Sequence, residues 1–195
     1  MKMTLLASAA LLALAPAVQA QDAYFGLGLG VSANSTTASE VTGFEPSATD
    51  FGLALTAGYR FASVGTVTYG IEGNLDLMGG KLMSDTFDAC TDFAPTWCEV
   101  DAALRLRGTV TSDLANGSRV MGSLGAVIVR GRAEDGPDNY VNATGRGLSF
   151  GVSWEQVGGT MPVRVDLNYD AIREDDADLY ERDLDMLGLR VSYMF

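Results

Sequence analysis

Charged side chains at alternate positions are the first chemically suggestive feature of this chain. Glu72 and Asp76, Arg105 and Arg107, and Arg164 and Asp166 stand two or four residues apart, so in an extended segment each pair projects from one face. Arg60, Glu155 and Arg190 lie in segments of the same kind. These nine groups of both signs can neutralise one another as ion pairs, provided the fold brings them together. Acid–base catalysis is a poorer fit. The chain has no histidine, the one side chain that titrates near neutrality without help, so a serine or aspartate nucleophile would need an unusual base. The chain is read as non-enzymatic, with no cofactor expected.

Cys90 and Cys98 are the only cysteines and sit in a polar stretch. A disulfide is expected between them if the chain is exported, whereas a metal pair would lack further cysteine or histidine ligands. The bridge would staple a loop containing Phe93, Pro95 and Trp97. Such a tip can serve as a contact surface, but the simpler reading is that it limits loop entropy and proteolysis. The acidic run Arg173-Glu174-Asp175-Asp176-Ala177-Asp178 and the pair Glu134-Asp135 offer oxygen donors to a divalent cation. Their spacing matches no EF-hand loop, so they are read as solvated loop and no metal site is assigned.

The elements that would position these groups follow from the pattern. Lys2, the apolar stretch Leu5 to Ala15 and the small residues around Val18-Gln19-Ala20 read as a cleaved secretory signal peptide over residues 1–20. Its apolar run is too short to cross a bilayer as a helix. Residues 21–195 are then one domain. Without Lys2, 12 basic residues face 25 acidic ones, a net charge of −13 that repels nucleic acid.

Period-two alternation recurs through the domain, broken by Gly-, Asp-, Asn- and Ser-rich segments, with no sustained helical period. The first run sets Phe25, Leu27, Leu29 and Val31 against Gly26, Gly28 and Gly30. The second, Phe51 to Phe61, carries Arg60 on its small-residue face; the third, Val67 to Leu77, opposes its apolar residues with Glu72 and Asp76. The fourth sets Val100, Ala102, Leu104, Leu106 and Val110 against Asp101, Arg105, Arg107 and Thr109. The fifth, Arg119 to Arg130, is blurred by Val127-Ile128-Val129, so either Leu124, Ala126 and Ile128 or their neighbours can form its outward face, and the former are favoured. The sixth, seventh and eighth set Leu148 to Trp154, Val163 to Tyr169 and Leu187 to Phe195 against faces carrying Glu155, then Arg164 and Asp166, then Arg190.

A soluble barrel hides its apolar face and wets its polar one; a membrane barrel does the reverse. Nine charges of both signs on the face that otherwise holds Gly, Ala, Ser and Thr favour the second arrangement. Eight runs of roughly 8–12 residues suit tilted transmembrane strands, and an eight-stranded lumen is just wide enough to be filled by side chains. The expected fold is all-β: an eight-stranded antiparallel up-and-down transmembrane β-barrel. Connections alternate between long (32–50, 78–99, 131–145, 170–185) and short (62–66, 111–118, 157–161), the short one at 111–118 holding Asn116-Gly117, a tight-turn dipeptide. Aromatic residues, among them Phe25, Phe51, Tyr59, Phe61, Trp154, Tyr169, Tyr193 and Phe195, fall near run ends, as interface girdles do.

The opening Tyr24-Phe25-Gly26-Leu27-Gly28-Leu29-Gly30 and the close Leu189-Arg190-Val191-Ser192-Tyr193-Met194-Phe195 resemble the small OmpA-like and opacity-type outer-membrane β-barrel proteins. In that family a terminal Phe preceded by apolar or aromatic residues at alternate positions is the signal read by the barrel assembly machinery, and Leu189, Val191, Tyr193 and Phe195 fit it position by position. The resemblance implies a Gram-negative outer-membrane protein in contact with outer-membrane lipid and lipopolysaccharide, and a monomer is expected. No peptidoglycan-binding domain follows, a departure from the two-domain members. The expected role is structural or surface-interactive through four long external loops. The alternatives are a narrow, porin-like channel for ions or small solutes, and a soluble periplasmic barrel binding an apolar ligand.

Overall fold

Alternating segments whose two faces differ in polarity bury one face only by pairing edge to edge, and here they pair until the sheet closes. The computed structural model describes residues 23–36, 47–79, 81–84, 97–134, 140–157, 161–173 and 184–195. The signal peptide expected over residues 1–20 lies outside them. The described strands are β1 (Ala23–Thr36), β2 (Ser47–Val64), β3 (Val67–Met78), β4 (Lys81–Ser84), β5 (Trp97–Asp113), β6 (Ser118–Glu134), β7 (Tyr140–Gln156), β8 (Val163–Ile172) and β9 (Leu184–Met194).

All neighbours are antiparallel, in the order β3-β2-β1-β9-β8-β7-β6-β5-β4, and a β3–β5 pairing closes the ring. β4 continues β3. Leu77 pairs with Ala102 of β5 and Lys81 with Glu99, so the two segments form one interrupted stave. The result is a closed eight-stave antiparallel barrel, and no helix among the described residues is long and apolar enough to cross a membrane.

One end of the barrel carries the tight turns, where Gly65 and Gly117 adopt φ of 66° and 76°, the left-handed region open to glycine. Both ends of the described chain lie there too: Phe195 N donates to Phe25 O at 2.8 Å, joining the first and last staves. Short turns mark the periplasmic end of a membrane barrel. At the opposite end the strands run well past the apolar segments. β6 and β7 extend to Glu134 and from Tyr140, which corrects the long connection expected at 131–145: most of it is hairpin. Outside the bilayer both faces of a strand can be polar. The stretch therefore carried no apolar alternation to announce it.

Inward and outward faces divide by polarity in the inverted sense. Leu29, Phe51 and Leu106 are 67%, 72% and 59% exposed, while Glu72 and Asp166 are fully buried. Phe25, Tyr59, Phe61, Tyr69, Trp154, Tyr193 and Phe195 project outward near the turn end. Tyr59 and Phe61 lie 5.5 Å apart between ring centroids, and Tyr193 and Phe195 meet edge to face at 4.8 Å. On β6, Leu124, Ala126 and Ile128 face outward and Val127 and Val129 inward, as the sequence reading took them.

Val100 differs from expectation. A bulge between Val100 and Ala102 shifts the register, so Val100 turns into the lumen and Asp101 out of it. An inserted residue reverses the parity of everything beyond it. Val100 joins Ala103, Val127, Val129, Ile172 and Met186 in an apolar layer across the external part of the lumen, with Ala48, Met78 and Leu184 packed against it.

Glycine makes the tight coiling of the sheet possible. A Cβ at inward-facing Gly125 would lie 2.0 Å from the Leu106 carbonyl oxygen, whereas one at outward-facing Gly122 on the same strand meets nothing within 4 Å. Gly125→Ala should therefore destabilise the barrel by about 1–3 kcal/mol and Gly122→Ala should not. The temperature at which the folded band disappears in a heat-modifiability gel checks the contrast.

Candidate functional site

Parity along each strand determines which charges share the lumen. The structure places Arg60, Glu72, Asp76, Arg105, Arg107, Glu155, Arg164, Asp166 and Arg190 all on the inward face, the least buried being Arg60, Asp76 and Glu155, with side chains 13–17% exposed. Asp170 and Asn168 of β8, Asn74 of β3 and Tyr24 of β1 join them. The sequence reading missed Asp170 by ending the seventh run at Tyr169. The signal was present, because Arg164, Asp166, Asn168 and Asp170 keep one parity.

Ion pairs run across the barrel as well as between neighbours. β3 and β8 are opposite staves, and Arg164 of β8 reaches Glu72 of β3 with two hydrogen bonds, at 2.5 and 2.9 Å. Arg164 also donates to Asp166 at 2.7 Å. Arg107 of β5 donates to Glu72 at 3.1 Å, to Asn74 at 2.5 Å and to Asn168 on the far side at 2.5 Å. Tyr24 donates its hydroxyl proton to Glu72 at 2.9 Å. Glu72 thus holds two arginines and a phenol at once.

Nearer the external end, Arg105 donates to Asp170 at 2.8 Å through Nε and 2.5 Å through Nη2, and bonds Asp76 with its remaining nitrogen. Arg190 completes the group, donating to Asp76 at 3.1 Å and Asn168 at 3.3 Å, with Asp166 at 4.0 Å. The charges balance: Arg105, Arg107, Arg164 and Arg190 face Glu72, Asp76, Asp166 and Asp170. At the turn end Arg60 pairs with Glu155 at 3.3 Å and stacks 4.2 Å over the Tyr24 ring, and Arg119 bridges Asp113 and Glu155.

The lumen makes room for these long side chains with glycine. A Cβ at Gly151 would meet Arg107 Nη1 at 2.5 Å, one at Gly30 would crowd Arg190, and one at Gly58 would enter the Tyr24 ring. What the arrangement does chemically is neutralise buried charges of both signs within the lumen. Most of its polar groups satisfy one another, while Arg107 Nε, Arg190 Nε, Asp166 Oδ2 and Asn168 Nδ2 are buried without a protein partner. Among the described residues no three His, Cys, Asp or Glu converge to hold a metal ion.

The other anticipated features divide. Leu189, Val191, Tyr193 and Phe195 all project outward along β9 and into the lipid-facing belt. Cys90 and the acidic residues 174–178 lie outside the described residues, as do Asp135 and the side chain of Glu134, and Cys98 is described only as a backbone position in β5.

A closed antiparallel barrel, apolar outside and charged inside, defines a transmembrane β-barrel protein. The chain matches the model of the outer membrane protein beta-barrel domain over residues 4–195, and it belongs to that family. It is therefore an outer-membrane protein. Among solved structures it is similar to OprG of Pseudomonas aeruginosa, at 12% identity and TM-score 0.54, covering 89% of this chain and 96% of that one. It is also similar to Ail, the attachment invasion locus protein of Yersinia pestis, at 12% identity and TM-score 0.52, covering 89% of this chain and 99% of that one. At such identity the likeness is one of fold. No curated protein matches the chain in sequence.

Removing one member of a buried network leaves its partners charged and unpaired, at a cost of about 3–5 kcal/mol. Glu72→Gln should destabilise the reconstituted barrel by that order in urea titrations. Because Glu72, Arg107 and Arg164 have side chains at most 1% exposed, added salt should not mask the loss.

Proposed function

We propose that this protein is a closed, non-enzymatic monomeric barrel that serves the outer membrane structurally and carries its external connections as surface-interaction elements. The observation that supports this most is the neutral ion-pair network joining opposite staves, with the apolar layer of Val100, Ala103, Val127, Val129, Ile172 and Met186 beyond it. A hydrated ion would have to cross both. A lumen void of about 20 Å³ beside Ser32, Asp50, Asp76 and Arg190 is of the size of one water molecule.

The reading includes insertion by the barrel assembly machinery through Leu189, Val191, Tyr193 and Phe195, and a Cys90–Cys98 bridge in the second external connection. Three external connections, at 37–46, 85–96 and 173–183, are long; the third in chain order is the tip of the β6–β7 hairpin. Surface interaction accords with the name of Ail, an attachment and invasion protein of the same fold.

Planar-bilayer recording tests closure. The wild-type protein should give no discrete conductance steps, and Arg105→Ala, which releases Asp76 and Asp170 and empties a guanidinium's volume, should produce them. Regular steps from the wild type would establish the narrow channel instead. Peptide mapping without reductant should recover Cys90 and Cys98 in one linked species, and alkylation of both thiols in the exported protein would refute the bridge.

A further inference from the structure

One buried carboxylate stands outside the balance of the lumen network. Asp50 of β2 faces inward and is 1% exposed. Among the described residues its side-chain partner is the neutral Asn34, whose Nδ2 donates to Oδ2 at 2.9 Å, and Ser32 donates in turn to Asn34 at 2.7 Å. Oδ1 is buried without a protein partner. A carboxylate oxygen so placed forfeits a strong interaction unless something other than the protein brings it a proton donor.

Arg190 of β9 has the complementary deficit. Its terminal nitrogens are used, Nη1 on Asp76 and Nη2 on Asn168, whereas Nε is buried without a protein partner. Both residues border the same void of about 20 Å³, and the strand pairing explains why they do not touch. β1 lies between their strands: Gly30 pairs with Gly52 on one side and Arg190 on the other, and Ser32 pairs likewise with Asp50 and Gly188. Arg190 therefore starts two strands from Asp50 and one inward-facing position nearer the turn end. Its stem lies along Gly30, where a Cβ would come within 3.0 Å of Arg190 Cγ. Gly52, facing Gly30, adds no side chain to close the gap.

A cavity bordered by an unpaired N–H and an unpaired carboxylate oxygen, with more than the roughly 10–15 Å³ that one water needs, is a water site. We propose that a single trapped water accepts from Arg190 Nε–H and donates to Asp50 Oδ1. The result is a water-mediated ion pair that ties β9 to β2 across β1, at the seam where the first and last strands of the chain meet. Ser32 and Asp76 border the same void and offer acceptors for the second hydrogen. Such a bridge keeps most of the enthalpy of a direct hydrogen bond. It also gives Arg190 a carboxylate of its own, since Arg190 shares Asp76 with Arg105. A metal cation is the poorer occupant, because Arg105 and Arg190 both border the void and their charges oppose it.

The test uses the full barrel folded in detergent micelles and isotopically labelled at its arginine nitrogens. Water-selective NMR should show a direct dipolar cross-peak between water and Arg190 Nε–H, of the sign that marks a bound water rather than proton exchange. Gly188→Ala supplies the displacement. A Cβ there meets only Asn168 Nδ2 at 3.8 Å and Val31 O at 3.9 Å, ordinary contacts, yet Gly188 borders the void. The added methyl should abolish the cross-peak and lower the urea midpoint of unfolding, and in an Asp50→Ala background it should lower the midpoint no further. A bound cation would raise the midpoint by mass action, so sodium chloride and choline chloride at equal ionic strength should give the wild type the same midpoint. Absence of the cross-peak in the folded wild type, its survival in folded Gly188→Ala, or an unchanged midpoint in that variant would each overturn the proposal. So would an equal loss of midpoint with and without Asp50, or a sodium-specific rise that Asp50→Ala removes. Where a variant lacks the heat-dependent gel shift of a folded barrel, the wild-type spectrum decides alone.

Discussion

Four arginines set against four carboxylates across the lumen are the interaction on which the rest of this barrel depends. A charge inside a narrow ring of strands has little water around it, and its desolvation is recovered only by close, well-formed partners. Arg164 and Glu72, on opposite staves, can meet only at this barrel width. A wider ring would pull them apart, and a narrower one would leave no room for the guanidiniums. The glycines at 30, 58 and 151 follow from the same constraint, since each gives up its side chain where Arg190, Tyr24 or Arg107 must lie.

An apolar lumen would bury surface at less electrostatic risk, and well-packed hydrophobic replacements of buried ion pairs are often no less stable. What the ions add is registration. A one-residue slip of β3 against β5 would carry Glu72 out into lipid and bring Ile71 in, losing the Arg107 and Arg164 partners together. In a strand whose outward face is Leu, Ile and Tyr and whose inward face is largely small, apolar pattern alone discriminates weakly among registers two residues apart. Glu72 and Asp76 discriminate strongly, because each has its own arginines. The external layer of Val100, Val127, Val129 and Met186 needs no such matching and is built of ordinary core residues.

Much of this was legible in the sequence, for a physical reason. In a barrel crossed by lipid, every strand carries the same two-way division, so the parity of Arg105, Arg107, Arg164 and Asp166 alone assigns them to the lumen, and the apolar partners to the belt. Legibility fails where lipid stops imposing the division. The β6–β7 hairpin beyond Ile128 sets Arg130 and Arg132 against Val129 and Gly131 on β6, with no apolar outward face, and it reads as loop although it is strand. The bulge before Ala102 is invisible for another reason: nothing in Val100-Asp101-Ala102 distinguishes an inserted residue from a paired one. The partners of each ion are equally unreadable, because which arginine meets Glu72 depends on which staves end up opposite, a property of the closed ring.

Charge is partitioned along the barrel axis as well as across its wall. The lumen network is neutral, so most of the negative surplus has to lie elsewhere, and the external connections carry much of it: Glu174, Asp175, Asp176, Asp178, Glu181 and Asp183 all fall between β8 and β9. Like charges so close together in sequence repel one another and keep a segment solvated. Outward cations are found beyond the apolar belt, where Arg130 and Arg146 stand on adjoining strands. Among the described residues the arginines lie within the lumen, where carboxylates match them, or outward beyond the apolar belt at 130, 132, 146 and 173, and the apolar wall between carries no charge.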